Sequence, residues 1–219
     1  MGILNMKRIL PLILCIAPAF VSAEPASNMV WMPEALNFVK DGDVKKGEQL
    51  AQSCAGCHGE KGISAMGMFP SLAGQTANYT YKQLRDYADG KRENPMMSSI
   101  ATGLSEKDSA DLAAWFQSLP AAQNKASQDD ISKAISLVDK GNGKKILPPC
   151  FVCHGSDGEG QKMDTPALAG QQADYTEATL LEYKNSTRHN DLYSRMRVIA
   201  KQLSGTEIKQ LAKYYQQLK

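Results

Sequence analysis

Two five-residue stretches constrain this chain more than any other feature: Cys54-Ala55-Gly56-Cys57-His58 and, 96 positions later, Cys150-Phe151-Val152-Cys153-His154. Each is a Cys-x-x-Cys-His, the pattern on which a c-type haem is attached through both thiols while the histidine ligates iron from one face. Cysteines three apart near a helix start lie on one side of the chain, and a histidine directly after the second can turn its imidazole under the porphyrin they hold. A chain that does this twice has to fold its apolar residues around two planar groups. The spacing therefore predicts two covalently attached haem c groups, on Cys54 and Cys57 and on Cys150 and Cys153, with His58 and His154 on iron. A structural zinc site on either pair would need two more ligands at matching spacing, which the remaining cysteines and histidines do not supply. A thioredoxin-type dithiol would sit in a βαβ pattern, and none surrounds either copy.

The repetition extends well beyond the motifs. At an offset of 96, Asp43 matches Asp139, Gly47 matches Gly143, Gly59 and Gly62 match Gly155 and Gly158, and Pro70 matches Pro166. Leu72-Ala73-Gly74-Gln75 recurs as Leu168-Ala169-Gly170-Gln171, and Tyr79, Leu84, Tyr87, Arg92 and Asn94 recur as Tyr175, Leu180, Tyr183, Arg188 and Asn190. Beyond these the offset becomes 99: Met97 matches Met196, Leu104 matches Leu203, and Leu112, Trp115, Phe116 and Leu119 match Leu211, Tyr214, Tyr215 and Leu218. The chain is a tandem duplication, expected as domains at 24–120 and 131–219 joined by a polar linker at 121–130. Each unit is small for an independent core, and a covalently held haem would supply the missing apolar centre.

Within a unit the pattern is helical. Asp43 to Gln52 leads into the first motif, Tyr79 to Asp89 puts Leu84 and Tyr87 on one face, and Ser105-Glu106-Lys107-Asp108 is a capping-box-like start to the last helix. Ser204-Gly205-Thr206-Glu207 is the corresponding cap in the second unit, and no stretch of useful length alternates as a strand would. Pro148-Pro149 should end the helix before the second motif early. Asn28 to Val39 is an extension of the first unit, expected to pack on a domain through Met29, Val30, Trp31 and Met32; a partner contact is the alternative.

Lys7 and Arg8, an apolar run from Ile9 to Phe20, and Val21-Ser22-Ala23 predict a cleaved secretory signal peptide at 1–23. Of five cysteines, Cys15 lies in that run and the other four are in the motifs, so both haems leave no thiol for a structural disulfide. Export with covalent haem points to the periplasm. Without Lys7 and Arg8 the charges balance, but unevenly: 24–120 has 9 basic and 12 acidic residues, a net of −3, and 121–219 has 14 and 11, a net of +3. This balance, with no basic cluster among aromatics, argues against nucleic-acid binding.

The sixth iron ligand decides what the haems can do. The first unit offers Met66, Met68, Met96 and Met97, the second Met163, Met196 and His189. Met97 and Met196 stand apart because each lies seven residues before the leucine that opens the last helix.

The Cys-x-x-Cys-His-Gly motif, the Pro-x-Leu-Ala-Gly-Gln segment, the tyrosine five residues before a leucine, the methionine before a Leu-Ser helix start and the aromatic last helix resemble class I cytochrome c. Two such units in tandem on an exported chain resemble the cytochrome c4 family of dihaem electron carriers, over about residues 40–219. The resemblance implies an all-α fold of two helical domains, with His58 and Met97 on one iron and His154 and Met196 on the other. It implies electron transfer rather than catalysis, no small-molecule substrate at iron, and redox proteins of the membrane or periplasm, such as an oxidase, as partners. The alternative is a dihaem subunit of a periplasmic oxidoreductase, for instance a flavoprotein or a thiosulfate-oxidising enzyme.

Overall fold

The computed structural model describes residues 25–123, 130–161 and 163–218. The expected signal peptide, 1–23, and most of the expected linker, 124–129, lie outside the described residues. The first domain contains α1 (Pro33–Lys40), α2 (Val44–Ala51), a 3₁₀ turn (Gln52–Cys54), α3 (Ala55–His58), α4 (Ala77–Ala88), α5 (Pro95–Thr102) and α6 (Glu106–Ser118). The second contains α7 (Ser132–Lys140), α8 (Phe151–His154), α9 (Ala173–Asn185), α10 (Arg195–Gln202) and α11 (Gly205–Gln217). Among the described residues extended pairing is confined to two isolated bridges, Asn142 with Leu147 and Gln161 with Thr165. The fold is all-α, as the periodicity predicts.

Local chemistry explains where the helices begin. The Asp43 carboxylate accepts the Lys45 and Lys46 N–H groups at the start of α2, and Asn94, followed by Pro95, accepts the Met97 N–H at the start of α5. Both expected capping boxes form: Ser105 with Asp108 on α6, and Ser204 with Glu207 on α11. In each domain the last helix is the central support. α2 crosses α6 so closely that a Cβ on Gly47 would come within 2.0 Å of the Asp111 carbonyl oxygen. Leu112 and Phe116 of α6 pack with Ala51, while Ile208, Leu211 and Tyr215 of α11 pack with Ala134, Leu137 and Val138 of α7.

Here the repeat is less regular than its spacing suggests. Asp43 caps α2, but Asp139 lies in the last turn of α7; Gly47 is a helix contact, but a Cβ on Gly143 would meet nothing within 4 Å. The equivalent contacts are Asp43 N–H to Asp111 Oδ1 and Lys133 N–H to Gln210 Oε1, which puts α7 six residues further from its motif than α2 is from the first. Pro148 and Pro149 are the reason: a helix cannot run through them to Cys150, so α7 stops at Gly141 and a 3₁₀ turn at Gly143–Lys145 covers the gap.

The N-terminal extension packs on the first domain, with Met29 and Trp31 against Val39, Ala77, Tyr81, Ala110 and Ala113. Val30 and Met32 point outward, 67% and 56% exposed.

The two domains meet across a pseudo-twofold set of hydrogen bonds. Gln75 Nε2 donates to the Ala167 carbonyl (3.0 Å) and Gln75 Oε1 accepts the Ala167 N–H (2.8 Å). Reciprocally, Gln171 Nε2 donates to the Ser71 carbonyl and its Oε1 accepts the Ser71 N–H, both at 2.9 Å. Arg92 Nη2 donates to the Tyr175 hydroxyl and Arg188 Nη2 to the Tyr79 hydroxyl, each at 3.0 Å. Ala121 and Ala122, at the start of the expected linker, already belong to this seam: a Cβ on Gly170 would come within 1.9 Å of the Ala122 carbonyl oxygen.

Candidate functional site

A continuous cavity of about 1070 Å³ runs through both domains and is lined by Cys54, Cys57, His58, Met97, Cys150, Cys153, His154 and Met196. That exceeds the roughly 300–1,000 Å³ of a site for one drug-sized ligand. The short helices α3 and α8 present the paired cysteines, none of which is in a disulfide. Burial pushes the Cys54 thiol up and the Cys150 thiol up to about 11, unlike the activated thiolate of a redox dithiol. Gly59 and Gly155 follow the histidines with φ of 82° and 86°, a turn that glycine makes without strain.

Each imidazole is fixed by one hydrogen bond. His58 Nδ1 lies 2.9 Å from the Pro70 carbonyl oxygen and His154 Nδ1 lies 3.1 Å from that of Pro166. A carbonyl can only accept, so Nδ1 carries the proton and Nε2 keeps its lone pair for a metal. Burial lowers both imidazole pKa values despite the opposing carbonyl bonds, which favours the neutral ligand form. The two prolines that supply these carbonyls are themselves a repeat pair.

The remaining ligand candidates separate by position. Met66 and Met163 lie outside the cavity lining; Met68, Met96, Met97, Met196 and His189 line it. Met68 and Met96 are 67% and 51% exposed and His189 is exposed, whereas Met97, on the first turn of α5, and Met196, on the first turn of α10, are half-buried. The three-residue insertion of the second domain forms the 3₁₀ turn Leu192–Ser194 just before Met196. Tyr193 and Ser194 are left-handed there, with φ of 58° and 56°, a conformation that costs non-glycine residues roughly 1 kcal/mol or more each. Asp191 holds the segment by accepting from Arg197 Nε (2.6 Å) and from its backbone N–H (2.9 Å), and Arg195 donates to Asp164 (2.9 Å).

The polar wall of the cavity lies at the domain seam. Arg92 and Arg188 are buried, stack on Tyr87 and Tyr183 at 4.6 Å, and share Gln83 Oε1 as acceptor. Among the described residues neither has a carboxylate as a bonded partner, and Arg188 Nη1 has no hydrogen-bond partner. Lys82 is also buried, bonded to Asp86 (2.5 Å) and to the Asn190 carbonyl (2.7 Å). Asp86 is bonded to Lys82, and Asp191, a second buried carboxylate of this region, is bonded to Arg197, so the two buried guanidiniums call for further anions. Haem fits this wall: its apolar plane suits Leu72, Leu84, Leu104, Leu168 and Ile199 of the lining, and its propionates suit the guanidiniums.

Sequence reasoning found the attachment residues but missed this seam. The available signal was the glutamine repeated at 75 and 171 inside an otherwise small and apolar segment, and the arginines repeated at 92 and 188. Lys82 and Asp86 carried no such signal, because Ala178 and Glu182 occupy the matching places.

Comparison with known proteins places these features in a family. The cytochrome c family model matches residues 44–120 and again 141–219. A cytochrome c4 from Thiocapsa roseopersicina is 38% identical over 180 residues, covering 81% of this chain and 93% of that protein. A protein described as a thiosulfate dehydrogenase electron acceptor, from Stutzerimonas stutzeri, is 37% identical over 172 residues, covering 75% and 78%. The crystal structure of reduced recombinant cytochrome c4 from Pseudomonas stutzeri superposes with a TM-score of 0.78 at 32% identity, covering 81% of this chain and all of that one. Two Cys-x-x-Cys-His sites in this setting hold two covalent haem c groups. The chain belongs to the cytochrome c family, among the dihaem electron-transfer proteins of the cytochrome c4 group.

Proposed function

We propose that this protein moves single electrons in the periplasm between respiratory-chain donors and a terminal oxidase or other acceptor, with residues 24–120 carrying one haem and 131–219 the other. Each haem, when bound, supplies a one-electron iron couple. His58 with Met97 would hold one iron and His154 with Met196 the other, which would leave neither with an open site for oxygen, peroxide or a substrate. A thioether also favours ferrous iron relative to a second imidazole and raises the potential. The chain's own task is then to hold two haems rigidly, exclude water from iron, and connect the halves. It catalyses no reaction of its own.

The observation that supports this reading is that His58, Met97, His154, Met196 and the four motif cysteines line one continuous cavity, with the domains joined by reciprocal Gln75 and Gln171 contacts. No helix among the described residues is long and apolar enough to cross a membrane. Carbon monoxide added to the ferrous protein tests it: the absorption bands should stay in place, and a shift at either haem would reveal an open or weakly held sixth position.

A second reading, a subunit bound to a periplasmic oxidoreductase, is favoured by the likeness to the thiosulfate dehydrogenase electron acceptor. Gentle isolation from the native cell separates the two. A free chain supports the carrier, and stoichiometric retention of a catalytic protein supports the subunit.

A further inference from the structure

We propose that Lys82 and Asp86 form a one-sided charge pair that raises the reduction potential of the haem couples, with the N-terminal segment holding it in place. Their side chains are each only 2% exposed, and Nζ lies 2.5 Å from Asp86 Oδ2. The pair spans three parts of the molecule. Lys82 also donates to the Asn190 carbonyl of the second domain (2.7 Å), and Asp86 accepts from Asn190 Nδ2 (2.7 Å). The other carboxylate oxygen accepts from Ser27, a buried residue of the N-terminal segment, at 2.5 Å.

A buried ion pair is a poor stabiliser, since desolvating both charges offsets most of their attraction. Its orientation gives it another use. Lys82 lines the cavity and Asp86 does not, so the cation is the member that faces the haems. In a weakly screened interior a cation there favours iron with one less positive charge, the ferrous state. The pair also departs from the internal symmetry. The matching positions in α9 are Ala178 and Glu182; both line the cavity, but Glu182 is exposed, so solvent screens its charge. By contrast Arg92 and Arg188, and Gln75 and Gln171, occur in both halves. The two domains therefore differ at the seam by one buried cation aimed inward and one carboxylate tied to the N-terminal segment.

This inference rests on the chain carrying two haems, so its test begins with full-length holoprotein whose intact mass shows both. Spectroelectrochemical titration of Lys82→Met and Asp86→Asn then reads the charge effect. Lys82→Met should lower the potentials and Asp86→Asn should raise them. A mere loosening of the seam would move both variants in the same direction, and that result, or potentials unchanged in both, overturns the proposal. If either single variant fails to assemble, the double variant Lys82→Met/Asp86→Leu replaces the pair with apolar groups. It should show lowered potentials because the inward-facing member was the cation, and unchanged potentials would refute it. A two-haem chain that accepts no electrons would instead overturn the electron-transfer reading itself.

Discussion

Replacing Gln171 by leucine should uncouple the domains while leaving both haem sites intact. In the native protein its carboxamide satisfies both backbone groups of Ser71, at 2.9 Å each, with Gln171 8% and Ser71 5% exposed. Leucine fills similar space but leaves a buried N–H and a buried carbonyl without partners, at about 1–3 kcal/mol each, or about 2–6 kcal/mol together. For a chain of this size about 1 kcal/mol moves Tm by roughly 2–4 °C, so the lower bound is a fall of about 4 °C. Because the lost bonds join domains, the first effect should be separation of one calorimetric transition into two. Differential scanning calorimetry of the holoprotein at neutral pH is the assay. The exposed Gln202→Leu serves as control and should change stability by less than about 0.5 kcal/mol. A single transition within about 1 °C of the native Tm would mean that water reaches Ser71 or that the seam is held by other contacts, and the clasp would lose its role.

Met97→Ala should abolish the methionine-to-iron absorption band of one haem, whereas Met96→Ala should retain both bands; the reverse pattern would reassign the first distal ligand. At Asp43, hydrogen bonds from the backbone N–H groups of Lys46 and Lys45 hold the carboxyl below its ordinary 3.8. Its contribution to stability is therefore full above pH 3.8 and lost as pH falls through the lower folded value. Asp43→Asn, which preserves a capping oxygen, should flatten the acid limb of an unfolding-versus-pH curve, and an unchanged limb would contradict the assignment. Lys209 and Lys213 are exposed on α11 in the basic half. Reversing both charges should slow association with one redox partner and weaken its salt dependence while sparing the other, and equal slowing with both would point to one shared docking face.

The parts of the fold that were legible in sequence are those set by local chemistry. Cys-x-x-Cys-His places two thiols and one imidazole through covalent spacing alone, and the Ser105 and Ser204 boxes form from residues three apart, so each forms where the pattern puts it. The methionines show the limit of composition, which cannot separate Met66 and Met68, both exposed, from Met97 and Met196, both half-buried. The match of Gly47 with Gly143 misled because identity at a fixed offset carries no information about Pro148 and Pro149, which shift α7 along the chain. The seam was illegible for a different reason. Ser27, Lys82, Asp86 and Asn190 are up to 163 positions apart in sequence, and each looks like an ordinary surface polar residue until the two domains close over it.

The measurement that bears most directly on the account is a coulometric reduction of the purified holoprotein, followed in the visible spectrum. Two haem c attachment sites in one chain predict the uptake of two electrons per chain, resolved as two one-electron couples that both return on reoxidation. Uptake of a single electron, or a ferrous haem that reacts onward with dioxygen as an open-sited enzyme would, contradicts a dihaem electron-transfer protein.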